Sequence, residues 1–65
     1  MNATYTNYAR LRDTKGLTDY KVCKDTGIAR STMSDWKRGV YTPKLDKIMR
    51  IADFFEVPLD ELLGE

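Results

Sequence analysis

The segment between Gly27 and Gly39 concentrates short polar and basic side chains. On a helical wheel of about 100° per residue, Ser31, Ser34, Asp35 and Arg38 follow i, i+3, i+4 and i+7, forming one polar stripe that Arg30 flanks at its N-terminal end. Met33 and Trp36 fall on the opposite face together with Ala29, and Val40 extends that inward side. A guanidinium presents a rigid fork of donors, a hydroxyl donates or accepts, and a carboxylate only accepts. One helix carrying these groups suits the major groove of DNA. There Arg binds guanine through two hydrogen bonds, Asp accepts from the cytosine amino group, and hydroxyls reach bases or phosphates. The free N–H groups and dipole of the helix N-terminus add a preference for phosphate.

Other segments must position this stripe. Tyr5, Tyr8, Ala9 and Leu11 recur at helical spacing before Gly16. Thr18 is suited to cap a second helix, with Asp19 favourable in its first turn. The reciprocal capping box is missing because position 21 is Lys. That helix runs through Val22 and Cys23 to Gly27, and the short turn Gly27-Ile28-Ala29 leads into the polar stripe, a helix-turn-helix arrangement. After Pro43, Leu45, Ile48, Met49, Ala52 and Phe55 follow an amphipathic helical pattern, widened by Ile51 and Phe54. Pro58 opens a last short helix with Leu59, Leu62 and Leu63 on its apolar face, ending at Gly64. The spacing predicts five helices, over 5–15, 18–26, 29–38, 45–56 and 58–63, and no strand. The fold class is all-α, with residues 1–65 forming a single domain.

Composition narrows the function. A content of 42% hydrophobic and 32% charged residues places the chain among globular rather than disordered sequences. With one cysteine and no histidine, neither a disulfide framework nor a Cys/His zinc site can form within one chain. General acid–base and nucleophilic machinery has equally little to build on, so neither enzymatic activity nor a cofactor is expected. No apolar run approaches the roughly 18 residues of a membrane span. The N-terminus has no signal-peptide core, so a cytoplasmic, nucleoid-associated location is expected. The net charge of +1 hides an asymmetry: residues 1–50 hold all eleven Lys and Arg with five acids, and residues 51–65 hold five acids and no base. A basic portion of this kind favours an anionic partner.

The run LTDYKVCKDTGIARSTMSDWKRG, followed by TPKLDKIMRIADFFEVPLDELLG, closely resembles the Cro and phage-repressor helix-turn-helix family, the XRE-like regulators of bacteria and phages. The resemblance implies a compact five-helix, lambda-repressor-like fold and sequence-specific binding of double-stranded DNA. By position it places base reading on Arg30, Ser31 and Asp35. Phosphate binding falls on Thr32, Ser34, Arg38, Tyr41, Thr42 and Lys44. It also implies a homodimer on a two-fold symmetric operator, repression as the usual outcome, bacterial or phage origin, and no small-molecule ligand.

Several positions depart from the family pattern. Many members pair an Arg of the first helix with a Glu of the third, but here the positions hold Arg12 and Lys37. Arg12 must therefore find another acid or point outward, and Lys37 becomes free to reach DNA. Asp19 stands where members often carry a Gln that anchors the second helix on the DNA backbone, so Tyr20 or Lys21 is expected to take over that contact. Cys23 replaces a usual Ala and reads as a small buried apolar residue. Arg30 has a competing role, a surface ion pair with Asp35 or another acid. A different class of function, a protein-binding regulator of antitoxin type, would use any of Phe54, Phe55, Leu59, Leu62 and Leu63 left exposed.

Overall fold

Thr4 and Thr18 start the first two helices by the same device: each side-chain oxygen accepts a backbone N–H three residues on, from Asn7 and Lys21 respectively. The structure, a computed structural model, describes residues 3–63. The elements are α1 (Tyr5–Thr14), α2 (Asp19–Thr26), α3 (Arg30–Lys37), α4 (Leu45–Phe55) and α5 (Asp60–Leu63), with no strand among the described residues. The helices expected from spacing are present and shorter by one or two residues. Gly64, expected to close the last helix, lies outside the described residues.

The chain turns from α2 towards α3 at Gly27, which ends α2 in the left-handed conformation at φ 78°. Arg50 of α4 donates to the Thr26 carbonyl at 3.2 Å, satisfying one of the carbonyls left free at that helix end. The Thr26 hydroxyl donates to the Val22 carbonyl at 2.7 Å, so both polar groups of Thr26 are engaged. This binds the turn to α4 as well as to its own helices.

The core is built from Tyr8, Val22, Ile48, Ile51 and Leu62, all at most 2% exposed, with Met33, Trp36 and Phe55 packed around them. Trp36 holds α3 from inside: its ring lies 5.2 Å from that of Tyr8 and 5.8 Å from that of Tyr5, the latter edge-on. Such aromatic pairs each contribute about 0.5–1.5 kcal/mol beyond their buried area. Asn7, itself buried, donates to the Leu62 carbonyl at 3.0 Å and ties α1 to α5.

Four expectations about apolar positions are corrected. Ala29 is exposed rather than inward. It is the cap residue, with extended φ −64° and ψ 143°, so the helical wheel does not apply to it and Ile28 turns inward instead. Val40 is 63% exposed because the helix has already ended at Arg38 and the chain has turned away. Leu45 and Met49 are 58% and 50% exposed. The buried stripe of α4 is Ile48, Ile51, Ala52 and Phe55, spaced i, i+3, i+4 and i+7, which leaves Leu45 and Met49 on its flank. Conversely, Phe55 and Leu62 are buried, and Phe54, Leu59 and Leu63 pack against the core, so the large exposed apolar side chains lie elsewhere.

Candidate nucleic-acid interface

The inner face of α3 fixes its outer face. Because Met33 and Trp36 are buried, Arg30, Ser31, Ser34, Lys37 and Arg38 stand exposed, while Thr32 and Asp35 are half-buried. Tyr20 and Lys21 are exposed on α2, and Tyr41, Thr42 and Lys44 are exposed in the loop before α4, behind the buried Pro43. Every residue expected to touch DNA is thus at least partly accessible to solvent. The α3 N-terminus has no side-chain cap, so its first-turn N–H groups are not taken up by a capping oxygen.

The charged groups of this surface have definite partners. Arg38 donates to Asp35 Oδ1 at 3.1 Å, one helical turn apart. Asp35 therefore pairs with Arg38, not with Arg30 as the competing role supposed. Lys21 pairs with Asp25 at 3.0 Å. Exposed pairs of this kind contribute only a few tenths of a kcal/mol, about 0.3–0.5, so a phosphate can replace the acid at little cost. Arg30 instead lies over the ring of Tyr20, its guanidinium carbon 5.3 Å from the ring centroid.

Beneath this surface sits a group whose role sequence spacing did not reveal. Asp19, the first residue of α2, accepts hydrogen bonds from Tyr8 at 2.6 Å, Tyr5 at 2.7 Å and Arg12 at 2.8 Å. Arg12 also donates to the Tyr5 hydroxyl and to Asp13, and packs over both tyrosine rings at 5.7–5.8 Å. Arg12 thus takes Asp19 as its acid, and Lys37 stays exposed. Burial alone would raise the Asp19 carboxyl. Hydrogen bonds from Tyr8, Arg12 and Tyr5, with the charge of Arg12, outweigh it and hold that carboxyl below its ordinary value. Burial and the Asp19 contact push the Tyr8 phenol up. The legible signal was the absence of an acid at position 37, which obliges Arg12 to seek one elsewhere.

Cys23 of α2 is 5% exposed, and burial followed by the nearby Asp19 charge raises its thiol. It behaves there as a small apolar residue.

A profile of the Cro/C1-type helix-turn-helix (HTH) DNA-binding domain matches residues 9–64, nearly the whole chain. The chain belongs to the Cro/C1-type family. Among its relatives is the HTH-type transcriptional activator BcrR of Enterococcus faecalis, 33% identical over 55 residues, covering 85% of this chain and 27% of the relative. The cryptic phage CTXphi transcriptional repressor RstR of Vibrio cholerae is 29% identical over 55 residues, covering 85% of this chain and 50% of the relative. The HTH-type transcriptional regulator AnsR of Bacillus subtilis (strain 168) is 42% identical over 38 residues, 58% of this chain and 33% of the relative. The chain therefore spans half or less of the length of these relatives. No solved structure matches it. In this Cro/C1-type domain, no helix among the described residues is long and apolar enough to cross a membrane.

Proposed function

We propose that this Cro/C1-type chain is a sequence-specific, double-stranded DNA-binding regulator of transcription that lays α3 in the major groove. The observation that carries the proposal is the division of α3 itself: Met33 and Trp36 anchor it inward, and Arg30, Ser31, Ser34 and Arg38 stand outward. In this reading Arg30, Ser31 and Asp35 meet base edges. Thr32, Ser34, Arg38, Tyr41, Thr42 and Lys44 hold phosphates, with further contacts from Tyr20, Lys21 and Lys37. Phosphate contacts fix the register and base contacts specify the sequence. One small domain buries little surface, so the binding form is a homodimer on a two-fold symmetric operator with half-sites about 34 Å apart. It acts in the cytoplasm of a bacterium, as a host or phage gene product, and represses by occupying the promoter. It needs no cofactor or small-molecule ligand and performs no catalysis.

The test is selection of bound duplexes from a random pool at about 0.1 M salt, where phosphate contacts still contribute strongly. A symmetric motif is the expected result. A single unpaired motif rejects the symmetric dimer, and no enrichment rejects sequence-specific reading.

One observation favours a second reading. Val40, Tyr41, Leu45 and Met49 are exposed large apolar residues within ten positions of each other, spanning the α3–α4 loop and the flank of α4. A regulator of antitoxin type would bind its protein partner there rather than through α5. Failed enrichment, together with a partner whose capture is lost on Leu45→Lys and Met49→Lys, would establish that reading instead.

A further inference from the structure

Arg30 and Tyr20 belong to different helices, yet their side chains meet on the outer surface. The Arg30 guanidinium lies over the Tyr20 ring at 5.3 Å from its centroid, and Tyr20 is 57% exposed. Since Asp35 is engaged by Arg38, the ring is the partner that orients Arg30. The same two residues border a cleft of about 320 Å³ lined by Tyr20, Cys23, Lys24, Ile28, Ala29 and Arg30. Cys23 and Ile28 are buried and close it beneath; the other four are exposed around it. Four of its six lining residues are apolar or aromatic.

We infer that Tyr20 and Arg30 read a two-base-pair step as one unit: Arg30 takes a guanine, and the Tyr20 ring with its adjoining cleft takes the 5-methyl group of a pyrimidine in a neighbouring base pair. The inference rests on the major-groove reading above. An Arg bound to guanine O6 and N7 by two hydrogen bonds holds its guanidinium close to the plane of that base pair. Base pairs follow one another at about 3.4 Å. A ring lying over that guanidinium therefore stands at the level of an adjoining pair. Its face offers no donor to a carbonyl and only a weak N–H···π contact to an amino group. The one apolar feature on a major-groove edge is the pyrimidine 5-methyl, present in thymine and in 5-methylcytosine. Tyr20 is thus a specificity-determining residue, and not one more phosphate contact made through its hydroxyl.

The full chain and its selected duplex provide the test. The guanine is first located as the base whose preference disappears in Arg30→Ala. Replacing the thymine beside it by deoxyuridine should weaken binding about fourfold, the worth of one buried methyl group. Replacing that pair by C·G and then by 5-methylcytosine·G should show a similar gain from the methyl. An effect with thymine alone, or with 5-methylcytosine alone, assigns the site to that base. No effect in either comparison overturns the inference. Tyr20→Ala should abolish the methyl effect with an unchanged unfolding midpoint, and Tyr20→Phe should retain it. Loss in Tyr20→Phe, or retention in Tyr20→Ala, overturns the role of the ring. Absence of any enriched motif would instead sink the DNA-reading proposal on which this one stands.

Discussion

The Arg12 guanidinium donates to Asp19 Oδ1 at 2.8 Å and joins the first helix to the start of the second. Through Asp19 the contact extends to Tyr5 and Tyr8, whose rings support Trp36 on the inner face of α3. The third helix is thus braced by a polar network whose Asp19 borders the same cleft as Arg30, Ser34 and Lys37.

Replacing Asp19 by Ala should destabilise the fold by about 2–3 kcal/mol, in the range for losing hydrogen bonds to a charged group. Tyr8 is fully buried and would lose the acceptor of its hydroxyl. Urea unfolding followed by the fluorescence of the single tryptophan, Trp36, reads the loss. A shift of the midpoint equivalent to less than about 0.5 kcal/mol, the range of ordinary surface substitutions, would remove Asp19 from its bracing role.

The same carboxylate predicts the acid limb of stability. Its folded pKa lies below its ordinary value, so folding binds the ionised form preferentially. The contribution is full above the unfolded value of about 3.9 and is lost as pH falls through the lower folded value. Stability of the unmodified chain should therefore decline more steeply below about pH 4 than that of Asp19→Asn, which has no such proton to gain. The raised Tyr5 and Tyr8 phenols give the opposite limb: their contribution is present below about pH 10 and lost above it. Parallel acid limbs for the two proteins would contradict the assignment.

Among the described residues four helix ends carry left-handed backbone, three on glycine (Gly16, Gly27 and Gly39) and one, Glu56, not. Gly27 has φ 78° and Glu56, the cap of α4, has φ 58°. Gly27→Ala should cost about 1–2 kcal/mol from backbone conformation alone. Space is not the limit, since an added Cβ would meet only Arg50 Nη1 at 3.6 Å, an ordinary contact. Glu56→Gly relieves the same kind of strain and should stabilise by about 0.5–1 kcal/mol. Thermal midpoints moving in the same direction for both variants would refute this account.

Arg30 and Arg38 should fail differently. Arg30→Ala is expected to lose about 1–3 kcal/mol at one base position while other positions keep their preference. Arg38→Ala should weaken all sequences alike and reduce the salt slope by about 1. The parent slope of log K against log salt, for about five phosphate contacts, is near −4 to −5. Titrations of matched and mismatched duplexes at several salt concentrations separate the two patterns. A uniform loss for Arg30→Ala would exclude it as a base reader.

The five helices and the polar stripe of α3 are legible in the order of amino acids, because both depend on local rules. Thr18 caps with its own side chain, Gly27 accommodates its own backbone, and Met33 and Trp36 repeat at one turn of the helix that carries them. Thr4 makes the same kind of cap, which the spacing of apolar residues did not single out. The tertiary fold set the pairing of Arg12 with Asp19 and which apolar residues stay outside, while Lys21–Asp25 and Arg38–Asp35 are pairs within single helical turns. Asp19 gathers Tyr5, Tyr8 and Arg12 because α1 is folded against the start of α2, a contact that helical spacing within either segment does not encode. Arg30 turns to Tyr20 on the preceding helix for the same reason, whereas Asp35 meets Arg38 one turn along its own helix, a pair that spacing does encode. Leu45 and Met49 share a helical pattern with Ile48 and Ala52, but only packing of α4 against α2 and α5 determines how wide a stripe is covered.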